Sequence, residues 1–209
     1  MIQELVEFGK RITKGQNRAL KEETYSIVLV IDELGTFQRF IVGDRQPIFA
    51  EAITAKKGKA RFLLDKCEEV LGIGENDAQK KHKLFIKKLE HYKSLAALAP
   101  IFRFYDEKNI NGVEKARIYY KKLDNKSKGG NITFMVGTTL LLKVEEVINS
   151  IINHFEEEEK KHVNGRICSI CGSPNTPILD EPHGLVKMPK GQTAGSGLVS
   201  YNEPAFESY

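Results

Sequence analysis

One run of residues constrains the fold more than any other. The segment 25–31 is almost continuously apolar and rich in β-branched side chains. A run of this kind is typical of a strand that is covered on both faces. A short acidic turn ending in Gly35 separates it from a second strand-like run, 36–42. The two runs predict a β-hairpin whose first strand is central in a sheet.

Most of the segments around this hairpin have helical periodicity. We expect a short amphipathic helix over 2–14 and a longer one that begins at Asp77, runs to about Leu98 and is ended by Pro100. Further helices are predicted over 111–123 and 144–161, a short one capped by Gly72, and a strand over 131–136, whereas 43–58 is predicted to be loop and short strand. Together these segments predict an α+β fold, with one mixed α/β domain over residues 1–164.

The character of the chain changes at Gly165. From there to Tyr209 the sequence is rich in Gly, Pro, Ser and Asn and has little helical signal. We expect residues 165–209 to form a separate, loop-rich subdomain.

Composition excludes several classes of protein. Of the 209 residues, 41% are apolar and 29% are charged, which fits a globular protein rather than a disordered or membrane-embedded one. No apolar run approaches the roughly 18–20 residues of a bilayer span, and the first residues lack the pattern of a secretory signal. Three cysteines argue against a secreted disulfide framework. These features predict a cytoplasmic protein without a membrane partner.

The basic residues are concentrated in the middle of the chain. The whole sequence has 32 basic and 28 acidic residues, a net charge of +4. Between Lys56 and Lys128 there are 19 basic and 10 acidic residues, a net of +9, so the remainder has a net of −5. This asymmetry indicates a surface that faces a polyanion. Solvated lysine-rich helix faces are the alternative explanation.

A pair of cysteines has the spacing of half a zinc site. Cys168 and Cys171, followed by Gly172, can both reach one tetrahedral ion. The sequence has no second pair, so bound zinc, a metal-free turn and a half-site completed from outside the chain all stay open. A redox role is disfavoured because the motif follows a helix and precedes a loop. Cys67, beside Leu64 and Leu71, is expected to be a core residue.

Two glycine-containing basic loops are candidate phosphate-binding segments. The first contains Lys56, Lys57 and Lys59; the second contains Lys187, Lys190, Gln192, Thr193 and Ser196. Small residues permit close approach to a nucleic-acid backbone, and lysines, hydroxyls and amides donate to phosphate. The order of residues in the second loop does not match a nucleotide-hydrolysing P-loop. A flexible surface loop is the alternative in both cases.

No pattern of catalytic residues is found. The histidines lack a nucleophile or carboxylate at a motif spacing, and no paired catalytic carboxylates are evident. We therefore expect a protein that is not an enzyme.

The final residues resemble a known family. The segment 191–197, followed by Leu-Val-Ser-Tyr-Asn and Ala-Phe-Glu-Ser-Tyr at 198–209, is similar to a segment of the Csd family, the large subunits of type I-C CRISPR Cascade complexes. Residues 61–66 and 70–72 resemble an earlier family segment. The family usually has Asn where this chain has Lys66. It also has a single-cysteine segment where this chain has Cys168-x-x-Cys171, which resembles the type I-B large subunit, so that subunit is the alternative assignment. Members of the family are much longer, so the resemblance implies that the chain is their N-terminal portion.

The resemblance implies a DNA-binding subunit without enzymatic activity. Such a subunit recognises the protospacer-adjacent motif in duplex DNA, helps to open the strands, and recruits a helicase-nuclease, within a complex of crRNA and backbone subunits. The hypothesis places phosphate contacts or a motif-reading loop at ten residues: Lys56, Lys57, Lys59, Lys66, Lys187, Lys190, Gln192, Thr193, Ser196 and Asn202. Two alternatives are a protein-interaction module that does not contact DNA and a zinc-dependent nuclease.

Overall fold

The computed structural model describes residues 17, 19–52, 60–74, 77–124 and 128–161. Among these, the strands are β1 (Leu20–Ile31), β2 (Phe37–Glu51), β3 (Leu64–Asp65), β4 (Ile132–Val136) and β5 (Thr139–Leu140). The helices are α1 (Cys67–Leu71), α2 (Ala78–Glu90), α3 (Ala99–Phe104), α4 (Val113–Lys122) and α5 (Glu145–Lys161). Two 3-10 turns, Ala96–Leu98 and Leu141–Lys143, precede α3 and α5. The predicted α+β class is confirmed for this part of the chain.

The strands form one mixed sheet in the order β2-β1-β4-β3, with β5 paired to β4. β1 pairs antiparallel with β2 and parallel with β4. It is therefore central, and all five residues from Ile27 to Ile31 are buried. The predicted hairpin and its central first strand are both confirmed.

The second strand of the hairpin is longer than the sequence predicts. β2 continues through residues 43–51, where we expected loop and short strand. Gly43, Asp44 and Arg45 lie opposite the single residue Ser26, so the ladder is interrupted there and resumes at Gln46. Turn-forming residues and Pro47 are tolerated because β2 is at the edge of the sheet and its residues from Ile41 to Pro47 are exposed.

The prediction of one long helix over 77–98 is wrong for its second half. α2 ends at Glu90, and a turn and a 3-10 segment lead to Leu98. Pro100 does not end a helix; it lies in the first turn of α3, where its missing N–H is not needed for hydrogen bonding. The predicted strand and the predicted helices near residues 67, 113 and 145 are present, and Gly72 caps α1 with a φ of 65°.

The core lies between the sheet and helices packed against it. Phe134 of β4 stacks with Phe85 of α2 at 6.2 Å between ring centroids, and it meets Phe104 of α3 edge-on at 6.5 Å. Tyr120 of α4 packs edge-on against Phe40 of β2 at 5.6 Å. These aromatic contacts fix the positions of α2, α3 and α4 on the sheet.

The described residues up to Asn153 form one compact unit, and a second unit is represented among them by the last turns of α5. The predicted domain boundary after residue 164, the helix over 2–14 and the loop-rich subdomain lie outside the described residues. None of the described helices is long and apolar enough to cross a bilayer.

Candidate nucleic-acid interface

The lysines of α2 are divided into two groups by the way the helix packs. Successive residues of an α-helix are about 100° apart around its axis. Phe85 and Leu89 are buried and mark the inner side. Lys80, Lys83 and Lys87 lie within an arc of about 60° on the opposite side, and all three are exposed. We call these three residues the outward lysine row.

The remaining two lysines of α2 are used in ion pairs with distant parts of the chain. Lys81 pairs with Glu68 of α1 and lies 3.9 Å from a carboxylate oxygen of Glu69. Lys88 Nζ is 2.5 Å from Oε1 of Glu51 at the end of β2, and it lies over the ring of Tyr92 at 5.8 Å. These flanking lysines attach α2 to its neighbours and leave the outward lysine row to face solvent.

Two acidic side chains, Asp77 and Glu90, lie near the outward lysine row. Lys80 is 3.2 Å from Asp77, and both side chains are largely exposed. Lys83 and Lys87 take part in no ion pair among the described residues. Among the described residues, Lys83 and Lys87 are therefore the unpaired cations of the row, on a helix fixed by its buried side.

The short helix α1 holds α2 and α4 in place through its carbonyl groups. The Gly72 N–H donates to the carbonyl oxygens of Cys67 and Glu68. The next three carbonyls accept from side chains of other elements: Glu69 from His82 Nδ1 at 2.7 Å, Val70 from the Tyr105 hydroxyl at 2.9 Å, and Leu71 from Arg117 Nε at 2.6 Å. All five carbonyls of α1 are thus satisfied, which a helix end in a protein interior requires.

Burial shifts the titration of the groups around α1. Desolvation lowers the pKa of His82 below its usual 6.5, and the positive charge of Arg117 acts in the same direction. Desolvation raises the pKa of Tyr105 and of Tyr120 well above 10. It also raises the pKa of Glu69, where nearby Asp65 adds to the effect. These groups serve as neutral hydrogen-bonding partners or lie in ion pairs, which is a structural role.

Lys66 is the only predicted site residue within the described part of the chain. Its side chain is exposed, and the residue immediately precedes α1. The carboxylate of Asp65 organises this turn by accepting hydrogen bonds from the backbone N–H groups of Arg61 at 2.9 Å and Lys66 at 3.0 Å. Desolvation by burial raises the pKa of the Asp65 carboxyl. The two hydrogen bonds from the backbone amides act in the opposite direction and reduce the shift.

The other predicted site residues lie outside the described residues. They are Lys56, Lys57, Lys59, Lys187, Lys190, Gln192, Thr193, Ser196 and Asn202, together with Cys168 and Cys171. The DNA contacts and the zinc half-site therefore stay predictions. Cys67, expected in the core, is half-buried against it, and its Sγ lies 3.6 Å from the carbonyl oxygen of Ile73.

The outward lysine row was not predicted from the sequence. Its residues contributed there only to the net charge of the basic middle of the chain. The spacing 80, 83, 87 places three lysines on one face and could have identified the row. What spacing alone does not reveal is that Lys81 and Lys88 are neutralised by carboxylates from α1 and β2. Within the part of the chain that the structure describes, no group of three metal-ligating side chains comes together.

The described part defines a mixed α+β protein with a basic helical surface. The chain belongs to the family described as CRISPR-associated protein (Cas_Csd1), whose profile matches residues 5–209. This match confirms the resemblance to the Csd family and identifies the chain as a CRISPR-associated component of the Cascade type. No curated protein matches the chain.

Proposed function

We propose that the chain belongs to the large subunit of a type I-C Cascade complex and recognises the protospacer-adjacent motif in duplex target DNA. In this role it helps to open the strands and recruits the helicase-nuclease, while base pairing with the crRNA reads the rest of the target. The observation that carries the proposal is the family match over residues 5–209. The proposed partners are duplex DNA, the crRNA-containing backbone subunits and the helicase-nuclease.

The charge distribution supports DNA as the partner. The segment 56–128 has a net charge of +9 in a chain of net charge +4. Lys83 and Lys87 are exposed within this segment, with no described carboxylate neutralising them. A basic surface supplies sequence-independent attraction to DNA, and a motif-reading loop supplies specificity. We assign the second role to the loop with Lys187, Lys190, Gln192, Thr193 and Ser196.

The test uses the assembled complex with the chain present or left out. We expect the complete complex to bind a duplex with the correct motif more tightly than the same duplex with a scrambled motif. Leaving the chain out should abolish this preference. Undiminished preference in its absence would overturn the proposed function.

The loop assignment has its own variant. Replacing Lys187 and Lys190 by Ala should reduce the preference for the motif. It should also reduce the magnitude of the slope of log affinity against log salt concentration by about 1.8, since each phosphate contact contributes about 0.9. Replacing the exposed pair Lys108 and Lys121 by Ala removes the same charge elsewhere and serves as the control. Equal slopes for the loop variant and the wild type would contradict the loop assignment.

A further inference from the structure

The outward lysine row has dimensions that fit a nucleic-acid backbone. From Lys80 to Lys87 the helix rises about 10 Å. Measured along the axis of a DNA duplex, that distance corresponds to about three phosphates of one strand. Lysines on long flexible stems can therefore contact neighbouring phosphates when α2 lies against the duplex.

The chemistry of this face is that of charge without base recognition. Apart from Gln79, no exposed residue of α2 is Arg, Asn or Gln, the residue types that form bidentate hydrogen bonds to guanine or adenine. The one amide on the exposed surface of α2, Gln79, already donates to the carbonyl oxygen of Gly72 at 3.2 Å. Lysine is a compact point charge with rotatable donors, which suits a phosphate of any sequence.

The helix is also held rigidly enough to present this charge. Lys81 and Lys88 pair with carboxylates of α1 and β2, and Phe85 stacks on Phe134 of the sheet. These contacts fix the helix and leave the side chains of Lys83 and Lys87 free to reach a ligand. Binding of a polyanion on this face requires no rearrangement of the core.

From these features we infer that α2 is a sequence-independent docking site for the sugar–phosphate backbone of duplex DNA, with Lys83 and Lys87 as its main contacts. The inference rests on the proposed function, because it names DNA as the polyanion. It adds that affinity from this helix is separate from motif recognition. Removing the row should weaken binding to every duplex equally.

The experiment measures binding of the full chain to short duplexes by fluorescence anisotropy. One duplex carries the motif and the other has the same composition in scrambled order. Salt is varied between about 50 and about 200 mM, where phosphate contacts dominate the slope. The slope of log affinity against log salt concentration is negative. Lys83→Gln with Lys87→Gln should reduce its magnitude by about 1.8 on both duplexes, since each phosphate contact contributes about 0.9.

Lys108→Gln with Lys121→Gln is the matched control, because both residues are exposed lysines on other segments. We expect this control to retain most of the wild-type slope. An equal loss in the control would show a net-charge effect and overturn the site. A smaller slope for the motif duplex alone would contradict sequence independence. Single-stranded RNA is the third probe: a smaller slope for this RNA but not for duplex DNA would contradict duplex DNA as the ligand.

The two proposals fail in different ways. If the free chain shows no salt-dependent binding to either duplex, the docking site is wrong even when the assembled complex recognises its motif. If the complex lacks a motif preference but the Lys83 and Lys87 variant still lowers the slope of the free chain, the proposed function fails and the docking site stands. Thermal unfolding of each variant checks that these exposed substitutions leave the fold intact.

Discussion

Single residues in the hairpin turn connect the sheet to the neighbouring helix. Asp32 organises the turn, since its Oδ1 accepts from the backbone N–H groups of Leu34 at 2.9 Å and Thr36 at 2.8 Å. Gly35 follows with a φ of 76°, and its carbonyl oxygen accepts from Asn109 Nδ2 at 3.0 Å. A Cβ on Gly35 would lie 2.5 Å from the backbone nitrogen of Phe104. The turn and α3 therefore approach each other at a distance that only glycine permits.

We predict that Gly35→Ala destabilises the protein by about 2 kcal/mol or more, because a left-handed alanine and a backbone clash add together. Urea unfolding followed by circular dichroism measures the change. Gly43→Ala is the control: a Cβ there meets nothing within 4 Å, and its effect should be small. Similar stabilities for the two variants would show that the turn can move away from α3.

A bulge at one residue explains an aromatic cluster that alternation does not predict. Phe37 and Phe40 are three apart in β2, so a regular strand would place them on opposite faces. The register shift at Gln38 pairs Phe37 with Ile31 and Phe40 with Leu29, two residues on the same face of β1. The rings of Phe37 and Phe40 consequently lie 4.9 Å apart. The hairpin was predictable from its residues, whereas this bulge depends on packing against α4.

At the scale of elements, α1 joins three helices through hydrogen bonds that no local pattern reveals. The helix is capped by Gly72, as the sequence predicts. The side chains that donate to its last three carbonyl groups, those of His82, Tyr105 and Arg117, come from later segments of the chain. The same distinction applies to the helix predicted over 77–98. Its apolar spacing continued past Glu90, but the chain turns there so that Tyr92 stacks on Phe62 at 3.9 Å. Periodicity identified the helix, and tertiary packing set its end.

The link between α1 and α2 should make stability depend on pH. The Glu69 carbonyl only accepts, so Nδ1 of His82 donates, and burial lowers the pKa of the imidazole below 6.5. The unfolded chain therefore binds a proton before the native protein does, and the free energy of unfolding falls as pH drops below about 6.5. Above that pH the imidazole is neutral in both states and contributes no pH dependence.

We predict that His82→Asn reduces this loss of stability between about pH 7 and about pH 5.5. The asparagine amide occupies the place of Nδ1 and can still donate to the Glu69 carbonyl, but it does not titrate. Urea unfolding across the pH range gives the difference in slope between the variant and the wild type. Asp65 and Glu69, whose pKa values are raised, favour the native state at lower pH and act in both proteins alike. An unchanged slope would contradict the role of His82.

At the scale of the whole molecule, the net charge does not show which lysines are paired with carboxylates and which are unpaired at the surface. The sequence shows the excess of +9 between residues 56 and 128, but some of its lysines, Lys81 and Lys88 among them, are paired with carboxylates. Which lysines stay free was not predictable, because their partners Glu51, Glu68 and Glu69 come from β2 and α1. Residue types alone indicated a polyanion as partner; only the fold separates anchoring lysines from outward ones. The predicted loops fall outside the described residues and are unaffected by this distinction.

The position of the outward lysine row suggests a substitution that should strengthen binding to duplex DNA. Glu90 is exposed and lies three residues after Lys87, which places the two side chains on neighbouring positions of the same helix. If the outward lysine row contacts DNA phosphates, the carboxylate repels the same phosphates. Glu90→Gln removes this repulsion and retains a polar side chain of nearly equal size.

We predict that Glu90→Gln raises the affinity of the full chain for duplex DNA by about two- to fivefold at low salt, equally for motif and scrambled duplexes, and that the gain diminishes as salt screens the charge. Fluorescence anisotropy at several salt concentrations measures it. Glu107→Gln changes the net charge by the same amount at an exposed position outside α2. If both variants gain equally, the whole charge of the molecule attracts DNA. A gain limited to Glu90→Gln instead places the bound strand along α2, because only a local carboxylate can oppose a local phosphate contact.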